Sequence, residues 1–377
     1  MPRILASISC NADTNILRAS LPLLESEKVQ AIEWSFDTLF KQDSIPSWFA
    51  GLLKEFGNEK RLIGHGVFFS LFSGKWSTEQ QQWLSSLKRL SSEFQFDHIT
   101  EHFGFMTGED FHKGAPISVP FTPATLALGT DRLKRIQNAC NCAVGLENLA
   151  FSYSLEEVKK HGAFLDQLVE SINGFIILDL HNLFCQIHNF KISFSDLIKL
   201  YPLEKVREIH ISGGSWENST SVAGMKIRRD THDDRVPEEV FELLRNAIGV
   251  CPNLKYVVLE QIGSGLESEE SREMFQQDFY TMDRIVDIHN QVTVPAGRNN
   301  FLPIAPVLTD HSPLEDEILY EQQLQLTRIL ETADSQEEAR KLLQASSLAD
   351  TGWQIEQWKP EMLETAIAIA QKWKFGF

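Results

Sequence analysis

Phe175-Ile176-Ile177-Leu178-Asp179-Leu180-His181-Asn182 begins as four apolar residues in a row and ends on an acid, an imidazole and an amide. A run that is apolar at every position, rather than alternating, fits a strand covered on both faces, as in a parallel sheet flanked by helices. Outward from it the same unit recurs. Short β-rich runs occupy residues 4–10, 31–36, 62–67, 98–103, 143–148, 175–182, 206–212 and 256–261, with amphipathic helical stretches such as 78–94, 125–139, 154–171 and 237–248 between them. Eight strand–helix alternations predict an α/β protein of the closed (β/α)8 TIM barrel type. An open doubly wound sheet is the competing arrangement, weakened because no Gly-x-Gly-x-x-Gly follows the first strand.

In such a barrel the C-terminal ends of the strands converge on one mouth. The third run ends Gly64-His65-Gly66, the fourth Thr100-Glu101-His102 and the fifth Leu146-Glu147-Asn148. The sixth ends on Asp179 with His181 and Asn182, and the seventh Glu208-Ile209-His210. Asp230-Thr231-His232 follows in the next loop, and the eighth run ends Leu259-Glu260. Six successive strands thus finish in His, Asp or Glu. Ionisable groups deep in a mouth are costly unless paired or coordinated. Neutral imidazoles beside carboxylates are the donors preferred by zinc, manganese and non-haem iron. Four histidines and four carboxylates exceed what one ion takes, so at least two ions are expected, with a carboxylate such as Glu147 bridging. Any one of these residues alone is more often an ordinary strand-end side chain. Their joint occurrence is the signal.

Other histidines are expected to be structural: His98, which begins a strand, and His112, His161, His289 and His311. His188 stays open, because residues 185–189 follow the sixth strand and could line the mouth. Gly213-Gly214 reads as a turn, with close approach of a substrate backbone as the alternative. No Gly-x-Ser-x-Gly elbow and no phosphate-cradling glycine loop is present.

These motifs resemble the multinuclear non-haem iron-dependent oxidases, barrels related in architecture to xylose isomerase and endonuclease IV. The stretches that carry the resemblance are Gly64-His65-Gly66-Val67, Glu101-His102, Leu146-Glu147-Asn148, Leu178-Asp179 with Asn182 and Asn189, Glu208-Ile209-His210, Asp230-Thr231-His232 and Glu260. The resemblance implies that His65, His102, Glu147, Asp179, Asn182, His210, Asp230, His232 and Glu260 hold two or three iron ions, with Glu147, Asp179 and His210 at the reacting centre. It implies oxidation with O2 of a residue, a cysteine or a C-terminal residue, in a ribosomally made precursor peptide, the leader being delivered by a partner protein or domain. At the sixth strand the family reads Asp-x-Asn-Asn where this chain has His181 in place of the first Asn. A zinc- or manganese-dependent barrel of the sugar isomerase or endonuclease IV type is the alternative from the same donor set. A third reading is a non-enzymatic barrel whose helical tail binds a partner and whose ligands only stabilise the mouth.

The formal charge of −17 over 377 residues opposes binding to phosphate backbones, so a nucleic acid partner is not expected. No window approaches the roughly 20 apolar residues of a membrane span, and residues 1–10 lack a signal-peptide pattern. Five scattered cysteines, Cys140-x-Cys142 too tight for the usual zinc spacing, read as reduced thiols in the cytoplasm. The barrel is expected over 1–290. A surface linker over 291–312 carries Pro295, Gly297, Pro303 and Pro306, and a helical extension follows over 313–377. Helices are expected at 314–333, 336–345 and 359–374, packed on the barrel through Leu319, Leu326, Ile329 and Leu330. The alternative is a partner-docking surface built on Trp353, Trp358 and Trp373.

Overall fold

Eight short strands pair in parallel, each with its neighbours in sequence, and the last closes on the first. They are β1 (Leu5–Ser9), β2 (Ala31–Trp34), β3 (Leu62–Gly66), β4 (His98–His102), β5 (Ala143–Glu147), β6 (Phe175–Asp179), β7 (Val206–Ile211) and β8 (Tyr256–Leu259). The computed structural model describes residues 3–39, 44–108, 113–292, 297–303 and 311–374. The expected barrel is the observed fold.

Side chains alternate across each strand, so every second residue points into the barrel. Ala31, Ile63, Tyr256 and Val258 form an inner apolar cluster separate from the main core. Their neighbours Ile32, Ile99, Val144, Leu146, Ile176, Leu178, Val257 and Leu259 belong to the main core under the surrounding helices. The same period carries His98, Thr100 and His102 inward together, and Glu101 outward, where its Oε1 accepts from the His102 amide at 3.1 Å. The lower interior is mostly apolar and aromatic, with the buried His98 set among Phe175 and Tyr256. The upper interior, toward the strand C-termini, is polar.

Beyond the barrel, helices span Glu317–Thr332, Gln336–Gln344 and Pro360–Trp373. Their apolar faces join the barrel's own core cluster through Leu319, Leu326, Leu330, Met362 and Leu363. Trp358 stacks on Tyr153, with ring centroids 3.6 Å apart, and Trp353 meets Phe105 edge-on at 6.2 Å. Gln323 donates to Phe72 O (2.7 Å) and accepts from the Gly74 amide (2.8 Å). The Glu364 carboxylate accepts from Ser219, Thr220 and Ser221. These partners lie in the loops after β3, β4, β5 and β7, so the extension flanks the mouth. Trp353 and Trp358 are 3% exposed, which overturns the reading of them as an open docking surface.

The linker also departs from expectation. Residues 293–296 and 304–310, with Pro295 and Pro306, lie outside the described residues, as does His112. Within 297–303, however, Phe301 is buried rather than on the surface, packing with Ala143, Phe175 and Ile177 at the N-terminal end of the barrel. Ala143 is too small to close that end, and an aromatic ring from outside fills it. Among the described residues no helix is long and apolar enough to cross a membrane, and all five cysteines are free.

Candidate metal centre

The upper inward-facing positions meet in one pocket. His65 Nε2 stands 3.5 Å from Glu147 Oε2, His102 Nε2 stands 3.3 Å from the same oxygen, and the two imidazole nitrogens are 3.4 Å apart. On the other side of Glu147, His210 Nδ1 is 3.8 Å from Oε1 and 3.2 Å from Glu260 Oε2. Asp179 completes this second group, whose donor atoms all lie within 4.8 Å of one another, as do those of the first. Glu147 belongs to both. Donors bound to one ion at about 2.0–2.2 Å lie about 3.0–3.6 Å from each other, so two adjacent ions sharing Glu147 fit this spacing.

Local structure aims each group. Asp179 ends β6 and caps the helix Leu180–Phe190, its Oδ1 accepting from the Asn182 amide at 2.5 Å. That leaves Asp179 Oδ2 facing the pocket. Asn182 Nδ2 is spent on Asn148 O (2.7 Å) and Glu147 Oε1 (3.3 Å), which turns its Oδ1 free. The three histidines have their far nitrogens engaged. His65 Nδ1 donates to Thr100 Oγ1 (2.8 Å), whose own proton goes to Gly64 O, and His102 Nδ1 donates to Gly66 O (3.1 Å). His210 Nε2 donates to Glu208 Oε1 at 3.0 Å. Each lone pair therefore points at the pocket, an arrangement usual for metal-binding imidazoles.

Asp230 and His232 form a third limb, joined to the rest through Glu260. His232 sets Nε2 2.8 Å from Asp230 Oδ1 and Nδ1 3.7 Å from Glu260 Oε2. His232 has φ +53°, a left-handed backbone costly for a residue with a Cβ and typical of a constrained functional loop. His181, the departure from the family pattern, is not aimed at the pocket. Its Nδ1 donates to Asp230 Oδ1 (2.9 Å) and its Nε2 accepts from Arg228 Nε (3.0 Å), so it orients Asp230 instead.

The pocket is electrostatically unfinished. Glu147 Oε2, Asp179 Oδ2, Asn182 Oδ1 and His210 Nδ1 are buried with no hydrogen-bond partner. Burial pushes Glu147 well above the usual carboxylate range, and Asp179 up to about 7. Burial also depresses His65, and holds His102 down to about 4, keeping both as neutral donors. For His210 and His232 burial acts the same way, but the carboxylates Glu260 and Asp230 respectively outweigh it and raise both. A cation entering here would displace those protons and pair the orphaned atoms.

Sequence reasoning passed over Glu33, quoted Glu208 only within the strand-end motif, and set His98 down as structural. Glu33 and Glu208 face His210 Nε2 from beneath at 3.2 and 3.0 Å and form a third acid–imidazole group. The signal was there: the inward period carried two residues back from His210 gives Glu208, and four back from His102 gives His98. Among the described residues the remaining histidines stay outside. His188 donates to Lys226 O and packs against Trp216, and His311 sits by Asp131. Gly213 and Gly214 form no turn but irregular backbone pressed against residues 229–235, where a Cβ would meet Arg235 O at 2.1 Å and Arg229 O at 2.3 Å. That leaves no room there for a substrate backbone.

A family model of the RiPP precursor modification enzymes MbnB/TglH/ChrH matches residues 25–262. The chain belongs to this family. The match to the MbnB/TglH/ChrH enzymes takes in all nine residues named from the sequence as ligands and stops before the C-terminal helices. Similar curated proteins include UPF0276 proteins of Rhizobium meliloti (26% identical, 50% of this chain and 60% of that protein) and Chromobacterium violaceum (27%, 49% and 64%). The chain thus spans less than two thirds of the length of these relatives. Solved structures of similar fold include an L-ribulose 3-epimerase (TM-score 0.49, 12% identity, 77% of this chain and 96% of that one). Another is endonuclease IV from Thermus thermophilus (TM-score 0.47, 10% identity, 74% and 99%).

His161 illustrates how the shell supports the mouth. Its buried Nε2 accepts from the Leu149 amide at 3.2 Å, just beyond Glu147-Asn148, and burial holds its pKa at about 3. An unfolded histidine titrates near 6.5. Between those values the unfolded chain binds the extra proton, so stability is fully present above about 6.5 and is lost as pH falls toward 3. Urea unfolding at several pH values should show His161→Gln with a shallower acid decline, by up to about 1.4 kcal/mol per pH unit. Parallel curves for the two proteins would contradict this role.

Proposed function

We propose that this protein is a multinuclear non-haem iron oxidase that uses O2 to modify a residue, a cysteine or a C-terminal one, of a ribosomally made precursor peptide. The observation that carries the reading is Glu147, buried between two donor groups with its Oε2 unpartnered. The donor set is four imidazoles with carboxylates and no thiolate, which suits iron as a redox-active ion. His65, His102 and Glu147 would hold one ion, and Glu147, Asp179, His210 and Glu260 a second. Asp230 and His232, with Asn182 Oδ1 on the Glu147 side, would complete a third position or hold substrate-facing ligands.

Bound iron would supply Lewis acidity toward a substrate thiolate or carboxylate and one-electron reactivity toward O2. The chain does the rest by position. His102, Asp230 and His232 have side chains about a quarter exposed, whereas His65, Asp179 and His210 are closed off. A peptide would therefore enter from the His102–His232 side, where the donors are open to it. The depressed His102 and His65 stay neutral at physiological pH, so their lone pairs would be available to an ion. The Phe105–Trp353 and Tyr153–Trp358 contacts hold the mouth loops beside the C-terminal helices, which would form one wall of the peptide's path. A partner protein that binds the leader fits a chain with an open mouth.

Incubation of the iron-loaded protein with candidate precursor peptides under O2, read by mass spectrometry, tests this. A mass change dependent on both iron and O2 is expected. Protein that acquires zinc and no iron on purification, and leaves every peptide unchanged, would remove the oxidase reading.

A further inference from the structure

Beneath the metal-facing groups, the barrel interior carries a polar thread where such barrels pack aliphatic layers. His210 Nε2 donates to Glu208 Oε1 at 3.0 Å, and Glu208 Oε2 accepts from His98 Nε2 at 2.6 Å. His98 Nδ1 lies 3.0 Å from Asp97 Oδ2 and 3.2 Å from Arg207 Nε. Asp97 is held in turn by Arg207 Nη2 (2.8 Å) and Lys255 Nζ (2.5 Å) at the N-terminal rim. His98, Glu208 and His210 are 0% exposed. The thread runs from the pocket through the barrel to its opposite end.

Two facts give it a purpose. The proton of His210 must sit on Nε2 for its Nδ1 lone pair to face Glu147 and Glu260. Two carboxylates compete for that proton, because Glu33 Oε2 is also within 3.2 Å of Nε2. Glu208 is fixed by a second anchor, His98, while Glu33 has no other hydrogen-bond partner. A buried carboxylate bonded on both oxygens is a stiff acceptor, and outer partners of this kind set the tilt and basicity of a ligating imidazole. His98 itself is wedged edge-on against Phe175 and Tyr256 at 4.7 and 5.4 Å, so it cannot swing away.

We propose that His98 is a positioning residue of the metal centre: through Glu208 it fixes the tautomer and tilt of His210 from the far side of the barrel. This rests on the metal-centre reading above. Co2+ is the probe, added to chelator-treated protein, with its visible spectrum and affinity measured for wild type and three variants. His98→Gln keeps an N–H for Glu208 and should retain the wild-type spectrum. His98→Phe should bind one Co2+ about 10–100-fold more weakly, with altered visible absorption, and Glu208→Gln should do the same. Should His98→Phe fail to fold, the near-isosteric Glu208→Gln decides alone. Wild-type affinity and spectrum in Glu208→Gln, and in a folded His98→Phe, would overturn the proposal. A wild-type protein that binds no Co2+ would instead overturn the metal centre, and this inference with it.

Discussion

Replacing Glu147 by alanine is expected to abolish metal uptake, and with it the proposed peptide oxidation, while leaving the barrel folded. Glu147 is the one side chain common to both donor groups, so its loss opens both ion positions at once. Removing an outer partner of a ligand already costs about 10–100-fold in affinity, and a shared ligand should cost more than about 100-fold at each position. The fold should survive because Glu147 contributes little to it: its Oε2 has no hydrogen-bond partner, and burial disfavours its charge. The metal-free variant should therefore melt at or above the temperature of metal-free wild type. The loaded wild type should melt higher still, because an ion that binds only the folded state adds stability by mass action. Elemental analysis and a melting curve check both halves. Full metal content in Glu147→Ala would show that the ligands are misassigned.

Ending the chain at residue 312 is expected to remove soluble protein altogether. The helices 317–332, 336–344 and 360–373 share one continuous core with the barrel. Leu326, Leu330, Trp353, Trp358, Met362 and Leu363 are all buried there. At about 1.5–3 kcal/mol for each buried large apolar side chain, their contribution rivals the whole net stability of about 5–15 kcal/mol typical of a folded domain. Truncation would also bare Tyr153 and Phe105 beside the mouth, an exposed apolar patch of the kind that aggregates. Soluble expression and metal content of the 1–312 chain are the measurements. A soluble, metal-binding truncation would mean that the helices are an independent appendage.

The barrel was legible because its signals are local. Phe175-Ile176-Ile177-Leu178 announces a strand covered on both faces, and the spacing of eight such runs leaves few topologies. The strand-end acids and histidines were legible for the same reason: ring closure brings consecutive C-termini together without any need to know side-chain conformation. What escaped depends on long-range packing. His98 and Glu208 are 110 positions apart and meet only across the closed barrel. Phe301 lies in a stretch whose glycine and prolines read as surface, yet it packs against Ala143, Phe175 and Ile177 at the N-terminal end of the barrel. The part played by His181 was hidden as well, since its partners Asp230 and Arg228 come from the segment after β7, nearly 50 residues on. Trp353 and Trp358 could have been open or buried on sequence alone; Tyr153 and Phe105 decide it.

The most direct test is crystallographic. Crystals of protein loaded with Fe2+ under anaerobic conditions would be measured on either side of the iron absorption edge. Two or three anomalous peaks should appear around Glu147, between the imidazoles of His65, His102 and His210 and the carboxylates of Asp179 and Glu260. Difference maps with no peak among those side chains, from protein shown to be folded and iron-treated, would contradict the account.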